Sequence, residues 1–540
     1  MKYKILAGAM ILAAMSGTPA CTELEDTNYH AIVGDGFQPT GEDLAALLAS
    51  AYIPWRQTFL QWNGVARSQM LTADEDVIPA RPNGWVDGGI YKRLHQHAWT
   101  SDEDNVVQGW NRTYVGINAC NRVLYQLENG IDLGDQHDAI VSELKVLRAS
   151  YYYILVDLFG NVPLITQFDV PDGYLPDQAS RKEVYEFIVK EITDNIDNLS
   201  ETVGGELYGR FNKWAAYALL AKMYLNAEVF SDGAHTEWEK CVEACDKIIE
   251  SGKYALESKQ SQCFITNNEN SCESIFALVF DETYVTDWNA FDYHLYSLQP
   301  ANQQTYNFES APWGGVCAIP QYVDSFDPDD ARLESTFIKG QQYTFSGDVL
   351  YCTLGSYSGQ PLAYINEVPS IDESEEVHGY RWGKFEYATG ITNRLSNDFP
   401  VFRYADVLLM KAEALLRNGK ADDAAAIVTD VRRRNFTTNE AKATVTGDQL
   451  QAETCYKYGR ADNTTTTTSD VSVIKYGRML DELGWEFSQE GRRRQDMIRF
   501  GAFTTMDWFS HTASDATKNL FPIPNAQLLT NNKLKQNPGY

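Results

Sequence analysis

Apolar residues recur at intervals of three and four along most of the chain, which is the spacing of an amphipathic α-helix. The clearest run comprises Leu144, Leu147, Tyr151, Leu155 and Leu158. The next helix is predicted to begin at a capping box, in which the side chains of Ser180 and Glu183 satisfy each other's backbone N–H groups. The dominant period therefore predicts a mostly α-helical fold.

Two stretches, residues 215–252 and 404–434, resemble each other as helix–turn–helix pairs. In the second pair, the small residue Ala412 lies where the helices would cross, and Asn418-Gly419 provides a C-terminal cap. This is the pattern of tetratricopeptide repeats, whose unit is about 34 residues. Because one pair cannot bury its own apolar face, the pairs are predicted to stack against neighbouring helices.

The helical period fades between residues 253 and 399, where Gly, Asn, Asp and Tyr become more frequent. A short alternating run at 274–280 predicts minor strands there. We therefore predict a single domain over residues 31–540. Its scaffold of tetratricopeptide-like helical pairs lies at about 31–252 and 400–540, around a loop-rich, minor-β insertion.

Residues 1–20 have the features of an export signal, with a positively charged start and an apolar run too short to span a bilayer. Cys21 directly follows a small residue, which predicts a lipobox whose cysteine receives a diacylglycerol. The Leu usually found three positions earlier is replaced by Thr18, so cleavage by ordinary signal peptidase is the alternative. Residues 21–30 are then predicted to be the lipidated Cys and a polar tether, which would hold the protein to a membrane.

The overall composition narrows the function classes. The 540 residues are 44% hydrophobic and 12% aromatic, which is enough for a large buried core. The 74 acidic residues exceed the 45 Lys and Arg residues, for a formal net charge of −29. This balance argues against nucleic acid or an anionic lipid surface as the ligand, since both require a basic surface.

Several cysteines and charged clusters are predicted to stabilise the fold and not to form a functional site. Cys241 and Cys245 share a helix face and are predicted to pack as small apolar residues. Cys263 and Cys272 flank a polar loop and are the best candidates for a disulfide in an exported protein. The arginine runs at residues 432–434 and 492–494 are predicted to pair with carboxylates near helix ends.

One acidic turn has the ligand chemistry for calcium, because its carboxylates are hard oxygen donors. Its residues are Asp324, Asp327, Asp329 and Asp330, with Arg332 beside them. Structural pairing with the arginine is the favoured alternative. We therefore expect no cofactor, with calcium as the open possibility.

Residues 284–313 form an aromatic-rich segment with interleaved Asn and Gln side chains. Its rings are Tyr284, Trp288, Phe291, Tyr293, Tyr296, Tyr306, Phe308 and Trp313. Sugar rings bind to flat apolar faces and to planar polar groups, so this segment predicts a loop platform for a carbohydrate. Trp288, Tyr296 and Trp313 are the candidate ligand contacts, and ordinary core packing is the alternative for each.

A second polar cluster lies in a Pro- and Gly-rich loop and is predicted to be exposed. It contains Asp74, Asp76, Arg81, Asn83 and Trp85. Asp74, Arg81, Asn83 and Trp85 are candidate ligand contacts. A solvated surface loop is the alternative interpretation.

Several motifs, in order along the chain, resemble those of the SusD/RagB family. They are LRASYYY (147–153) with DLFGNVPL (157–164), residues 181–192, GRFNKWAA (209–216), FPVFRYADVL (399–408), the residues around EGRR (490–493), LFPIP (520–524) and QNPGY (536–540). Cys21 also stands where the lipid anchor of the family would be. The motifs cover the chain from residue 147 to its end.

The resemblance implies an outer-membrane lipoprotein that faces the cell exterior and forms a lid on a SusC-like TonB-dependent barrel. Such proteins capture nutrients, usually glycans, and deliver them to the barrel without acting as enzymes. The loop around residues 74–85 resembles the early loop that frames the glycan site in starch-binding members, and the insertion at about 253–399 would carry the remaining ligand contacts. The family also has a similar Asp–Arg turn of structural use.

The predicted function is therefore surface capture of a glycan and delivery to a SusC-like barrel, with lipid attachment at Cys21 and no nucleic-acid partner. A peptide-binding, RagB-like nutrient lipoprotein is the alternative. A glycoside hydrolase, which needs two suitably spaced carboxylates, is the more distant one. The sequence contains no H-E-x-x-H, G-x-S-x-G, P-loop or dinucleotide-binding motif to support an enzyme.

Overall fold

The computed structural model describes residues 39–281, 283–287 and 290–540. Within these residues the chain is mostly helical. The helices are α1 (Gly41–Phe59), α2 (Val65–Leu71), α3 (Ile90–His95), α4 (Asp104–Glu128), α5 (His137–Leu158), α6 (Arg181–Asn195), α7 (Lys213–Leu225), α8 (Ala227–Phe230), α9 (Trp238–Glu250), α10 (Tyr293–Ser297), α11 (Gln303–Tyr306), α12 (Pro320–Val323), α13 (Ala331–Thr336), α14 (Tyr404–Arg417), α15 (Ala421–Arg433), α16 (Gly447–Leu450), α17 (Gly477–Phe487), α18 (Arg493–Arg499) and α19 (Asn525–Thr530).

The strands in the described residues are short and pair only in antiparallel twos. They are β1 (Asp76–Val77), β2 (Val162–Pro163), β3 (Gln178–Ala179), β4 (Ser274–Leu278), β5 (Cys317–Ala318), β6 (Phe337–Ile338), β7 (Gly340–Gln341), β8 (Ala363–Tyr364), β9 (Arg381–Trp382) and β10 (Phe399–Arg403). The pairs are β1–β5, β2–β3, β4–β10, β6–β9 and β7–β8. A mostly α fold with minor β-structure is therefore confirmed, including the strand predicted from residues 274–280.

The two predicted helical pairs are present and stack on each other. Helix α7 packs against α9, α14 packs against α15, and α14 also contacts α9. Cys241 and Cys245 are buried, with the Cys241 Sγ 3.9 Å from the Met410 carbonyl oxygen of α14. The small side chains at these crossings let the helices approach closely, as the tetratricopeptide pattern indicates.

The N-terminal half of the scaffold is built on the contact between α4 and α5. A Cβ on Gly116 of α4 would lie 2.2 Å from the ring of Tyr151 on α5, so only glycine permits this close approach. The predicted capping box at the start of α6 is confirmed, because the Ser180 hydroxyl accepts from the Glu183 N–H and Glu183 accepts from the Ser180 N–H.

Arg434, from the first arginine run, belongs to a buried ionic network. Its centre is Glu486, whose oxygens lie 2.8 Å from Arg403 Nη1, 2.6 Å from Arg434 Nη2 and 3.0 Å from Arg332 Nη1. All four side chains are at most 5% exposed. We call these four residues the Glu486 network.

The second arginine run is also largely buried and paired with carboxylates, as predicted. Arg492 contacts Asp406 and Asp496, Arg493 contacts Asp74, and Arg494 contacts Asp157. These arginines therefore join distant parts of the chain.

The carboxylates of the predicted Asp–Arg turn are largely occupied by cationic side chains. Arg332 binds Asp330 through Nε and Nη2, and Lys442 Nζ lies 2.7 Å from Asp327 and 2.8 Å from Asp329. In the described part of the chain, no group of three or more His, Cys, Asp or Glu side chains is arranged to hold a metal ion. Structural pairing therefore accounts for these carboxylates.

The predicted Cys263–Cys272 disulfide is wrong. All eight cysteines in the described residues are free thiols; Cys263 is buried in the core, whereas Cys272 is exposed. The Cys272 thiol donates instead to the carbonyl oxygen of Ala255, 3.2 Å away. Flanking a polar loop does not place two cysteines side by side.

Thiol accessibility gives a direct check of this arrangement. In residues 22–540, only Cys272 and Cys455 are exposed, so two thiols are expected to react readily with Ellman's reagent in the native protein. All eight thiols are expected to react in denaturant without a reducing agent. A count below eight in denaturant would instead show a disulfide.

The export signal, Cys21 and the tether lie outside the described residues and stay predictions, as do the domain boundaries. Among the described helices, none combines the length and apolar character that a membrane span requires.

Candidate functional site

Three half-buried tryptophans converge on one surface of the molecule. Trp62 lies in the turn between α1 and α2, Trp85 in the loop between β1 and α3, and Trp313 between α11 and β5. The ring centroid of Trp62 lies 5.8 Å from that of Trp313 and 6.5 Å from that of Trp85. We call these three residues the tryptophan cluster.

Strand pairing brings two of these rings together. β1, which precedes Trp85, pairs with β5, which follows Trp313. The Trp85 indole N–H then donates to the backbone carbonyl oxygen of Trp313 at 2.7 Å, and the Asn83 side-chain amide donates to the same oxygen at 2.7 Å. The two loops are therefore fastened to each other at the base of the cluster.

The backbone at Trp85 is strained. Its φ is +64°, a left-handed conformation that bulky residues rarely adopt. Gly315 leaves room for the indole, because a Cβ at this position would lie 2.6 Å from the Trp85 ring. Such strained backbone is concentrated at functional sites in proteins, where the surrounding structure holds it.

Arg81 holds the loop from below. It is 6% exposed and donates to the carbonyl oxygens of Gly315 (3.2 Å), Glu375 (2.6 Å) and His378 (3.2 Å). Burial, followed by the nearby Arg381, lowers the pKa of Arg81 to about 9, which still leaves it charged at neutral pH. Arg81 therefore positions Trp85 from within the protein.

A second aromatic layer supports the exposed rings. Tyr296 is fully buried, with its ring 5.7 Å from Trp62 and 5.5 Å from Trp85. The Arg67 guanidinium lies 4.3 Å from the Tyr296 ring centroid and 4.7 Å from that of Trp62, and it forms a buried ion pair with Asp292. This layer fixes the tilt of the tryptophans but has no exposed face of its own.

The structure thus corrects three of the predicted ligand contacts. Asp74 is fully buried and bound by Arg493 and the Tyr458 hydroxyl, so it is not part of an exposed loop. Arg81 and Tyr296 are also interior residues, which position the cluster rather than reach its surface. Each was misplaced because composition alone does not distinguish a surface loop from a buried one.

The other predicted contacts are at or near the surface. Asn83 is exposed, and Trp85 and Trp313 are half-buried. Trp288 lies outside the described residues. Trp62 was not predicted as a ligand contact, since it continues the helical spacing of Trp55 and Phe59 and so indicates a core position. The packing of α1 against the insertion, through Arg56 and Asp287, brings it to the cluster.

The histidine pair His95 and His97 is structural. His95 Nε2 lies 2.6 Å from the Phe509 carbonyl oxygen, and His97 Nε2 lies 2.9 Å from that of Thr72. Burial lowers the pKa of His95 to about 4 and that of His97 to about 3, so both are neutral at physiological pH.

Comparison with known proteins places the chain in a family. A family model described as the SusD family matches residues 272–540, and one described as starch-binding and associating with the outer membrane matches residues 46–225. The chain belongs to the SusD/RagB family. The resemblance recognised in the sequence motifs is thereby confirmed.

Individual proteins that are similar to this SusD/RagB chain support the same family assignment. It is 24% identical over 497 residues to the starch-binding protein SusD of Bacteroides thetaiotaomicron, covering 84% of this chain and 82% of that one. A SusD superfamily protein of Parabacteroides distasonis has the same fold, with a TM-score of 0.70, 21% identity, and coverage of 92% and 99%. Surface glycan-binding protein A of B. thetaiotaomicron, solved with laminarihexaose, matches with a TM-score of 0.68, 19% identity, and coverage of 92% and 100%.

Proposed function

We propose that this protein captures a glycan at the cell surface through the tryptophan cluster and passes it on without cleaving it. The observation that carries the proposal is the convergence of Trp62, Trp85 and Trp313, three half-buried residues whose indoles are the type of flat apolar group that stacks on the C–H side of sugar rings. Two relatives described as binding starch and laminarihexaose support a glycan as the ligand class.

The surroundings of the cluster favour binding over catalysis. Glycoside hydrolysis needs two carboxyl groups that flank the scissile bond. Asp292, directly beneath the cluster, is fully buried and paired with Arg67, so it cannot reach a glycosidic oxygen. The family and its outer-membrane description further support a lipid anchor at Cys21 and a SusC-like TonB-dependent barrel as the receiving partner.

The expected affinity is modest. Each stacked ring contributes about 0.5–1.5 kcal/mol beyond the area that it buries. Together with the apolar area that they bury and the hydrogen bonds around them, three such rings give dissociation constants in the micromolar to millimolar range. Weak binding suits a protein that must release its ligand to a transporter.

The proposal is tested by affinity electrophoresis of residues 22–540 in gels containing starch, laminarin, xylan or galactomannan. At least one polysaccharide is expected to retard the wild type. Trp85→Ala and Trp313→Ala are each expected to weaken that retardation about 3–10-fold, because each removes one stacking face.

Tyr174→Ala is the matched control, since it removes an exposed aromatic ring from a loop beside the C-terminal segment. It is expected to migrate like the wild type. Absence of retardation in every gel, together with binding to peptides, would favour the RagB-like alternative. Release of sugar during the run would favour a hydrolase.

A further inference from the structure

A small three-stranded unit beside the tryptophan cluster exposes an unusual number of aromatic side chains. Its strands are β7 with its continuation to Tyr343, residues 349–352, and residues 360–364 with β8. Leu350 N–H donates to the Gln342 carbonyl oxygen, Gln342 N–H donates to that of Leu362, and Leu362 N–H donates to that of Leu350. The three segments are thereby closed on one another.

Side chains alternate strictly between the two faces of this unit. The inner face buries a satellite core that includes Leu350, Cys352, Leu362 and Tyr364. The outer face presents Tyr343, Val349 and Tyr351, which are 46%, 38% and 53% exposed, and Phe345, 66% exposed, lies in the turn that joins the first two strands. We call these four residues the aromatic ridge.

The unit that carries the ridge contacts the Trp85 loop and helix α11, which precedes Trp313 in the chain. At one end, a Cβ on Gly355 would lie 2.7 Å from the Pro82 side chain, so the unit touches the loop that carries Trp85. Pro82 and Trp85 are three residues apart, which limits their Cα separation to about 11 Å. At the other end, the Phe345 N–H donates to the Gln304 carbonyl oxygen, on the segment that leads to Trp313.

The charge of the unit indicates what it contacts. Asp348 is the single charged residue between residues 340 and 364, although 22% of the chain is charged. Hydroxyl and amide groups from Thr344, Ser346 and other Ser, Thr and Gln residues lie among the rings instead. Rings interleaved with neutral hydrogen-bonding groups suit an uncharged sugar chain, and Asp348 is the one charged side chain that this segment offers to a partner.

We infer that the aromatic ridge is a second glycan-contacting surface, which holds sugar units of a long, neutral polysaccharide beyond those at the tryptophan cluster. This inference rests on the proposed function and adds that binding depends on glycan length. A short oligosaccharide occupies the tryptophans alone, whereas a polymer also reaches the ridge.

The test compares a double variant, Phe345→Thr with Tyr351→Thr, with the wild type in residues 22–540. Threonine retains the β propensity of the strands and removes both rings. The probes are the polysaccharide that retards the wild type most strongly among starch, laminarin, xylan and galactomannan, and the trisaccharide derived from it. Binding is measured by isothermal titration calorimetry, and folding by thermal melting.

The ridge variant is expected to bind the polymer about 5–10-fold more weakly and the trisaccharide like the wild type, since only the polymer spans both surfaces. Trp85→Ala is expected to weaken binding of both probes. Tyr174→Thr, the matched control, should change neither.

Other outcomes separate the two proposals. If the ridge variant binds the polymer as tightly as the wild type while Trp85→Ala does not, the ridge proposal is wrong and the proposed function stands. If no polysaccharide binds the wild type, both are wrong. If the variant instead changes the sedimentation of the protein without affecting glycan affinity, the ridge is a surface for self-association, and the inference is overturned.

Discussion

Glu486→Ala is expected to destabilise the protein by about 3–5 kcal/mol, because it leaves the buried Arg332, Arg403 and Arg434 without their shared carboxylate. The total stability of a folded domain is about 5–15 kcal/mol, so this single change removes a large part of it. The free energy of unfolding in urea is the measurement.

The protonation state of Glu486 supports this expectation. Burial opposes its ionisation, but Arg434, Arg403 and Arg332 more than offset that effect and hold its pKa well below the usual range. A carboxylate with a lowered pKa stabilises the folded state above its unfolded pKa and loses that contribution as the pH falls. The difference between wild type and variant is therefore expected to be full at pH 7 and to shrink under acidic conditions.

Glu201→Ala is the matched control. Glu201 is 60% exposed on its side chain and pairs with Lys213 on the surface. Its removal is expected to cost less than about 1 kcal/mol. Equal urea midpoints for Glu486→Ala and the wild type would contradict the assigned role of the network.

Asp76→Asn is expected to stabilise the protein at pH 8 by at least about 1.4 kcal/mol, the energy of one tenfold change in an acid equilibrium. Asp76 is buried, and one of its oxygens accepts from the Trp382 indole N–H at 2.8 Å while the other has no hydrogen-bond partner. Burial raises the pKa of Asp76 to about 8. The hydrogen bond from Trp382 lowers this pKa, whereas the nearby Asp74 raises it further. Asparagine keeps an oxygen for Trp382 and carries no charge.

The direction of the pH dependence follows from the raised pKa. The folded state holds the proton of Asp76 more tightly than the unfolded chain does, so the associated stability is present below about pH 4 and is lost as the pH rises towards 8. The advantage of Asp76→Asn is expected to grow over that interval. The measurement is the unfolding free energy of both proteins at pH 5 and pH 8.

Asp172→Asn serves as the control, since Asp172 is exposed on a loop. The unfolding free energy of Asp172→Asn is expected to equal that of the wild type at both pH 5 and pH 8. A variant of Asp76 that loses stability relative to the wild type between pH 5 and pH 8 would contradict the proposed protonation. Glu75, the buried neighbour whose pKa is also raised by burial and by Asp76, acts in the same direction.

The sequence predicted the regular helical parts well, because their signals are local. The capping box of Ser180 and Glu183 and the paired helices α14 and α15 depend on residues three or four positions apart, so the structure reproduces them. Several family motifs lie on such elements, including LRASYYY on α5 and FPVFRYADVL on β10 and α14. The local spacing of apolar residues is therefore sufficient to predict a helix that buries one face in the core.

The site was predicted only in part, because it is made by contacts between distant segments. Trp313 was found from the aromatic-rich segment and Trp85 from the polar Pro- and Gly-rich loop, yet Tyr296, from the same segment as Trp313, is sealed beneath them. Trp62 continues the helical spacing of Trp55 and Phe59, which indicates a core position and not a ligand contact. Burial is a tertiary property, and a list of aromatic residues does not indicate which faces remain open.

Contacts between residues 493–540 and residues 74–159 close the fold. Arg493 binds Asp74 across 419 positions of sequence, and the Trp99 indole N–H donates to the hydroxyl of Tyr540 at 2.6 Å. The side-chain amide of Asn537 also reaches the Phe159 carbonyl oxygen at 2.8 Å. The N-terminal segments of this fold are therefore not fully packed until residues 493–540 have joined them, and changes near those late residues act directly on the first-made part of the polypeptide.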